Sequence, residues 1–265
     1  MASPLARAGF HLAAVLLAAA SCAAPAAEPE RPHPLKSGSE FVSEDLRRLQ
    51  ADDFANPGML WVTRGARLWS EPAGSSGQSC AGCHGDAAQS MKGVATRYPR
   101  VDPGAARLVN LEDRINLCRE RNQRAAPLER ESGELLALSA HVAHQSRGMP
   151  VAVTLDAQSR PSFERGRALY VARSGQMNLA CAHCHDRSWG RKLAAETISQ
   201  GHGNAYPAYR LEWQALGSLQ RRIRACYYGL RAEMPPYGAQ ELLDLELYLA
   251  VRGSGLPIET PGARR

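Results

Sequence analysis

The stretch Cys181-Ala182-His183-Cys184-His185 decides how the rest of the chain is read. Two cysteines three positions apart, with histidine directly after the second, form the attachment site of a c-type haem. The thiols add to the two vinyl groups of the porphyrin, and the histidine supplies the proximal iron ligand. The same Cys-x-x-Cys spacing also suits half of a structural zinc site, so a second occurrence carries weight. It comes 101 positions upstream (181 − 80), as Cys80-Ala81-Gly82-Cys83-His84. Two complete copies point to a dihaem cytochrome c with two covalently bound haem c groups. Aromatic residues make up only 6% of the sequence, which suits small domains whose apolar core is largely the haem.

Working outward, the order of residues around one motif repeats around the other. Arg64-Gly65-Ala66-Arg67-Leu68-Trp69 returns as Arg165-Gly166-Arg167-Ala168-Leu169-Tyr170, offset by 101. Tyr98-Pro99 returns as Tyr206-Pro207, and Leu111 to Cys118 returns as Leu219 to Cys226, both offset by 108. Glu134-Leu135-Leu136 has its counterpart in Glu241-Leu242-Leu243. The drift between offsets is one loop insertion. The fold expected is all-α: two tandem cytochrome c-like haem domains of class I type, related by duplication. Residues 41–150 would hold haem 1 and residues 151–265 haem 2, with the join near 145–162. Apolar spacing predicts helices over 41–54 (Phe41, Val42, Leu46, Leu49, Phe54), within 58–72, over 108–121 and over 133–144.

Residues 1–27 read as a secretory signal peptide. Arg7 precedes the apolar run Ala13–Ala20, which is too short to span a bilayer, and cleavage fits after Ala24, Ala26 or Ala27. Residues 28–40 form a Pro-rich linker. In bacteria haem is attached to Cys-x-x-Cys-His outside the cytoplasm, so the mature chain is expected in the periplasm. Cys22, after Ala19-Ala20-Ser21, loosely matches a lipoprotein cleavage site and offers a lipid anchor as the alternative. The net charge of +6 over 265 residues favours anionic substrates or acidic partners. Nucleic acid is not expected, because the basic residues do not interleave with an aromatic platform.

Of seven cysteines, one lies in the signal region and four hold haem, leaving Cys118 and Cys226. In an oxidising compartment such a pair can form a disulfide. Their places, 34 and 41 residues after the motif histidines (118 − 84 and 226 − 185), instead favour each serving its own haem. Met149 and Met234, both followed by proline, are the alternative sixth ligands. They fall 65 and 49 residues after His84 and His185 (149 − 84 and 234 − 185), a poorer match. His141, His144 and His202 are conceivable ligands without counterparts in the other half. Methionine ligation would make the chain a non-catalytic dihaem electron carrier. Thiolate lowers the reduction potential and suits a site where sulfur does the chemistry. Arg222 lies one helical turn before Cys226, and Arg221, Arg224 and Arg231 add positive charge. Arginine lowers a thiol pKa and can grip an oxyanion with two parallel bonds; Arg221 and Arg224 could equally bind haem propionates. Arg114 holds the equivalent place in the first half, but Glu112 and Asp113 flank it and would repel an anion. The charge pattern therefore sends the chemistry to the second half.

With both haem motifs, Asn116-Leu117-Cys118-Arg119, and Arg222-Ile223-Arg224-Ala225-Cys226 ahead of Met234-Pro235-Pro236-Tyr237-Gly238, the chain resembles the SoxA family. These are the dihaem subunits of the thiosulfate-oxidising SoxAX cytochrome, an L-cysteine S-thiosulfotransferase. The resemblance implies that Cys80 and Cys83 hold haem 1 between axial His84 and Cys118. It implies likewise that Cys181 and Cys184 hold haem 2 between His185 and Cys226. It further implies that Cys226 is the active residue, found in the family as a persulfide, and that Arg222 binds thiosulfate. The implied partners are the monohaem cytochrome SoxX, which forms the heterodimer and takes the electrons on towards a c-type cytochrome acceptor, and the carrier SoxYZ, which receives the thiosulfate group.

Overall fold

The computed structural model describes residues 34–265, together with the single positions 1 and 32. Apart from Met1, the expected signal peptide and Cys22 lie outside the described residues, as do residues 28–31 and 33 of the linker. The helices are α1 (Glu44–Ala51), α2 (Met59–Ser70), α3 (Cys80–His84), α4 (Ala87–Ser90), α5 (Leu111–Cys118), α6 (Gly133–His144), α7 (Arg160–Val171), α8 (Cys181–His185), α9 (Leu219–Gly229) and α10 (Gln240–Arg252). The strands are β1 (Arg100–Asp102), β2 (Arg107–Val109), β3 (Lys192–Leu193), β4 (Glu196–Thr197), β5 (Ala208–Arg210), β6 (Ala215–Gly217) and β7 (Gly262–Arg264).

Local sequence sets several helix starts. A polar residue accepts a bond from an otherwise unpaired amide of the first turn. Ser79 does so for α3, Asn110 for α5, Ser132 for α6 and Ser218 for α9. Asn110 and Asp113 reciprocate as a capping box. At Ala180 no side chain can serve, and His183 Nδ1 instead accepts from the Ala180 amide at 3.0 Å. Helices of 12 or 13 residues such as α2, α6, α7 and α10 are marginal alone, so packing must hold them.

That packing is the same in both halves: α2 crosses α6, and α7 crosses α10. The crossings are tight because glycine stands at each. A Cβ on Gly65 would lie 2.1 Å from the Ala137 carbonyl oxygen, and one on Gly166 would lie 2.1 Å from that of Asp244. The repeated Arg-Gly motif thus marks the point of backbone contact. Residues 135–143 of α6 and 242–249 of α10 are buried without interruption, as expected of helices enclosed on all sides. Each fully buried leucine there contributes roughly 1.5–3 kcal/mol relative to exposure. The outer face of α6 meets the β5–β6 hairpin: Leu136 and Ala140 share a cluster with Tyr209 and Leu216. Leu108 of β2 joins the cluster around α7 and α10. Each hairpin therefore packs on the other half's terminal helix.

The all-α expectation is corrected. Short sheets are present: β1 with β2, β3 with β4, and β6–β5–β7, in which β7 returns parallel to β5. Strands of two or three residues are too short for alternation to show in sequence. The helix expected over 41–54 is also shorter. It begins at Glu44 after a 3-10 turn over Gly38–Phe41, and Phe54 is fully exposed instead of packed. The helix expected over 108–121 is α5 at Leu111–Cys118, followed by a π-helical turn over Arg119–Gln123.

Candidate haem and sulfur site

Proximal and distal groups reach the site from different elements. The motif cysteines and His185 lie on α8, and Cys226 lies on α9. His185 Nδ1 is bonded to the Ser199 carbonyl oxygen at 2.8 Å. A carbonyl can only accept, so Nδ1 carries the proton and the ring is oriented by that bond. The ring is fixed from the side by Gly201, where a Cβ would lie 2.8 Å from His185 Cγ. In the first half Trp69 stacks on His84, with centroids 5.7 Å apart, and donates from Nε1 to the Gly85 carbonyl at 3.0 Å.

The helix bearing each distal cysteine is stitched to the loop that leads into the haem motif. Ser75 and Ser76 amides donate to the Arg124 and Gln123 carbonyls just past α5. Gln176 and Met177 amides donate to the Arg231 and Leu230 carbonyls just past α9. The backbone thereby sets the distal cysteine against its own motif. The fields report the same convergence: burial and then Cys226 push the Cys184 thiol up, and push Cys181 to about 12. Burial and then Cys118 raise Cys80.

Cys226 behaves differently. Burial pushes its thiol up, but a hydrogen bond with His185 and the positive fields of Arg222, His185 and Arg210 outweigh that, and it settles at about 7. The sulfur is therefore easily ionised, as a metal-bound or nucleophilic thiolate must be.

Arg222 faces this sulfur with only a loose ion pair, 3.9 Å to Glu196. The neighbouring arginines are engaged elsewhere. Arg221 lies over the Trp213 ring at 4.3 Å. Arg224 donates to the Pro235 carbonyl and lies over Tyr237 at 4.4 Å. Arg231 shapes the turn after α9 with a φ of 54°. Arg210, absent from the sequence reading, is buried and pairs with Glu212 at 2.8 Å and Glu196 at 3.1 Å.

In the first half Arg114 is neutralised, though not by its sequence neighbours. Glu112 and Asp113 turn inward to Arg130. The carboxylate that meets Arg114, at 2.9 Å, is Asp102, which also meets Arg121 at 3.4 Å. Asp102 and Arg210 occupy equivalent places (210 − 102 = 108). Lining up the repeats at that offset would have exposed this reversal of charge.

The other candidate ligands are placed differently. All six described cysteines are free, so Cys118 and Cys226 form no disulfide. Met234 is 40% exposed, and the Met149 thioether lies beside Gly93. His141 packs on Trp69, centroids 5.9 Å apart, and His144 bonds the Thr260 carbonyl. His202 bonds Gln200, and burial, Arg252 and His185 push it down to about 3.

Two thiols, an imidazole oriented through its Nδ1, and a facing thiol of lowered pKa are the donor set that a covalently attached haem with two axial ligands requires. The residues fit the group, and with the paired helix crossings they define a c-type cytochrome carrying covalently bound haem c. The cytochrome c domain of the SoxA/TsdA family matches residues 64–151. The L-cysteine S-thiosulfotransferase subunit SoxA of Pseudaminobacter salicylatoxidans is 44% identical over 91% of this chain and 85% of its own. That of Paracoccus pantotrophus is 36% identical over 86% of this chain and 78% of its own. The crystal structure of SoxXA from P. pantotrophus superposes with a TM-score of 0.84, at 35% identity and 87% coverage of both chains. The chain belongs to the SoxA family.

Proposed function

We propose that this chain is the cytochrome subunit of an L-cysteine S-thiosulfotransferase, with Cys226 as its reacting sulfur. Two haem c groups are held in two domains, 41–150 and 151–265, descended from one duplicated module. His84 and Cys118 would hold haem 1, and His185 and Cys226 would hold haem 2. The chain pairs with SoxX and works in the periplasm on thiosulfate and the cysteine of SoxYZ. The observation that carries this reading is the placement of Cys226 on α9, with Arg222 one turn before it and His185 in hydrogen-bond contact.

A haem held by Cys181 and Cys184 would supply the electron acceptor and the outlet towards SoxX. The protein residues do the rest. Arg222 holds the sulfonate of thiosulfate through its guanidinium fork. The outer sulfur and the Cys226 thiolate join in an S–S bond and together release two electrons. The carrier thiolate then attacks the transferred sulfur; the new S–S bond breaks, and Cys226 leaves as the thiolate, favoured by its lowered pKa. Atoms and charge balance with thiosulfate and carrier thiolate consumed, two electrons released and carrier-bound thiosulfate formed.

The test is Cys226→Met and Arg222→Ala in the heterodimer with SoxX. Cys226→Met should retain haem and lose thiosulfate-dependent turnover; near wild-type turnover would overturn the role of Cys226. Arg222→Ala should raise KM for thiosulfate with the haem spectrum intact, by about tenfold or more if a charge-assisted pair of roughly 1.5–3 kcal/mol is lost. An unchanged KM and rate would remove Arg222 from the site.

A further inference from the structure

Arg252, at the end of α10, is the largest fully buried side chain, 0% exposed. Burying a cation is costly unless it is paired and hydrogen-bonded, so its partners show what it is kept for. It donates to the Gln200 carbonyl at 2.6 Å and the His185 carbonyl at 3.4 Å, and forms an ion pair with Asp186. Tyr170 completes the group: its hydroxyl donates to Asp186 at 2.8 Å, and Arg252 lies over its ring at 5.2 Å. The two backbone segments that Arg252 grips are those flanking the proximal imidazole. One is His185–Asp186 itself. The other runs through Ser199, whose carbonyl accepts from His185 Nδ1, and Gly201, which fits against the ring.

The first half lacks this device. The counterpart of Tyr170 is Trp69 and that of Asp186 is Gly85, both at the 101 offset; Trp69 bonds the Gly85 backbone. At the offset relating Glu241 to Glu134 (241 − 134 = 107), the counterpart of Arg252 is Gln145, which bonds the His141 carbonyl. Neutral groups stand wherever the second half has an ion pair.

We propose that Arg252 is the positioning residue of the proximal ligand in the second half, and that its charge, set against Asp186, separates the reduction potential of the haem there from that of the first. This rests on reading His185 as the proximal ligand. Ferric haem carries one more positive charge than ferrous, so a nearby cation in a low-dielectric interior favours the ferrous form and raises the potential. The carboxylate of Asp186 acts in the opposite sense.

The test is redox titration of the holo-heterodimer, with the two haems of this chain followed separately by electron paramagnetic resonance. Arg252→Met, similar in volume, should lower the potential of the second haem and broaden its low-spin signal. Asp186→Asn should raise that potential, and being isosteric it keeps the test alive where Arg252→Met fails to fold. Arg252→Lys, which keeps the charge but not the fork, should leave the potential near wild type while the signal broadens. The first haem should not change in any variant. Shifts of the same sign in Arg252→Met and Asp186→Asn, equal shifts in both haems, or no shift would overturn the proposal. A wild-type mass lacking haem at Cys181 and Cys184 would overturn the site reading instead, and the inference with it.

Discussion

At the scale of single residues, the site depends on how closely a few atoms approach His185. Gly201 sits at φ +76°, a left-handed conformation that side chains rarely adopt, and faces the ring edge with no room for a methyl group. Gly201→Ala should therefore displace the ring or the backbone. The expected cost is about 1–3 kcal/mol, read as a lower Tm and a disturbed low-spin signal of the haem held there. A variant with wild-type stability and signal would show that the ring is fixed otherwise. Cys226 and Arg222 were legible in the sequence because they recur with, or one turn from, a repeated motif. Asp102 and Arg210 show only when the repeats are lined up at the 108 offset, and Glu196 not at all, because an ion pair between separate elements leaves no periodic trace.

At the scale of elements, the unit is the crossing of two helices over a glycine. In α2 on α6 and in α7 on α10, backbone meets backbone, and a methyl group would be forced to within 2.1 Å of a carbonyl oxygen. Gly65→Ala and Gly166→Ala should each separate a pair, costing about 1–3 kcal/mol or more by overpacking. Calorimetry of the two variants checks this, and a Tm unchanged in both would refute the crossing as a point of stability. A milder change is Asn110→Ala, which removes the cap of α5, the helix carrying Cys118, at about 1 kcal/mol. The Arg-Gly repeat was visible in sequence as similarity alone. Its meaning, a close approach, required the partner helix.

At the scale of the whole molecule, buried carboxylates meet between the two halves. Glu112 of α5 is pushed up to about 8 by burial, Glu246 and Glu131; Glu246 of α10 is pushed up to about 7, chiefly by burial. Arg130, Asp113 and Asn110 face the same group. A carboxyl whose pKa is higher folded than unfolded holds its proton more tightly in the folded state. Ionisation is therefore penalised, starting as pH rises past the unfolded value near 4.5 and complete above the folded value. Stability should fall between about pH 5 and pH 8, by an amount on the order of a few kcal/mol. Glu112→Gln should flatten that decline, as measured by Tm across the range. An equally steep decline in the variant would place its origin elsewhere.

The sequence by itself determined the two Cys-x-x-Cys-His motifs, the order of residues repeated around them, the equivalent places of Cys118 and Cys226, and the cluster of arginines around Cys226. These are written in spacing, which is a one-dimensional property. Tertiary structure alone decided which carboxylate silences Arg114, which arginine keeps only a loose ion pair beside Cys226, and how Arg252 holds the segments around His185. Those contacts join residues 12 to 67 positions apart. Whether a charge is free or paired depends on what the fold brings within hydrogen-bond reach.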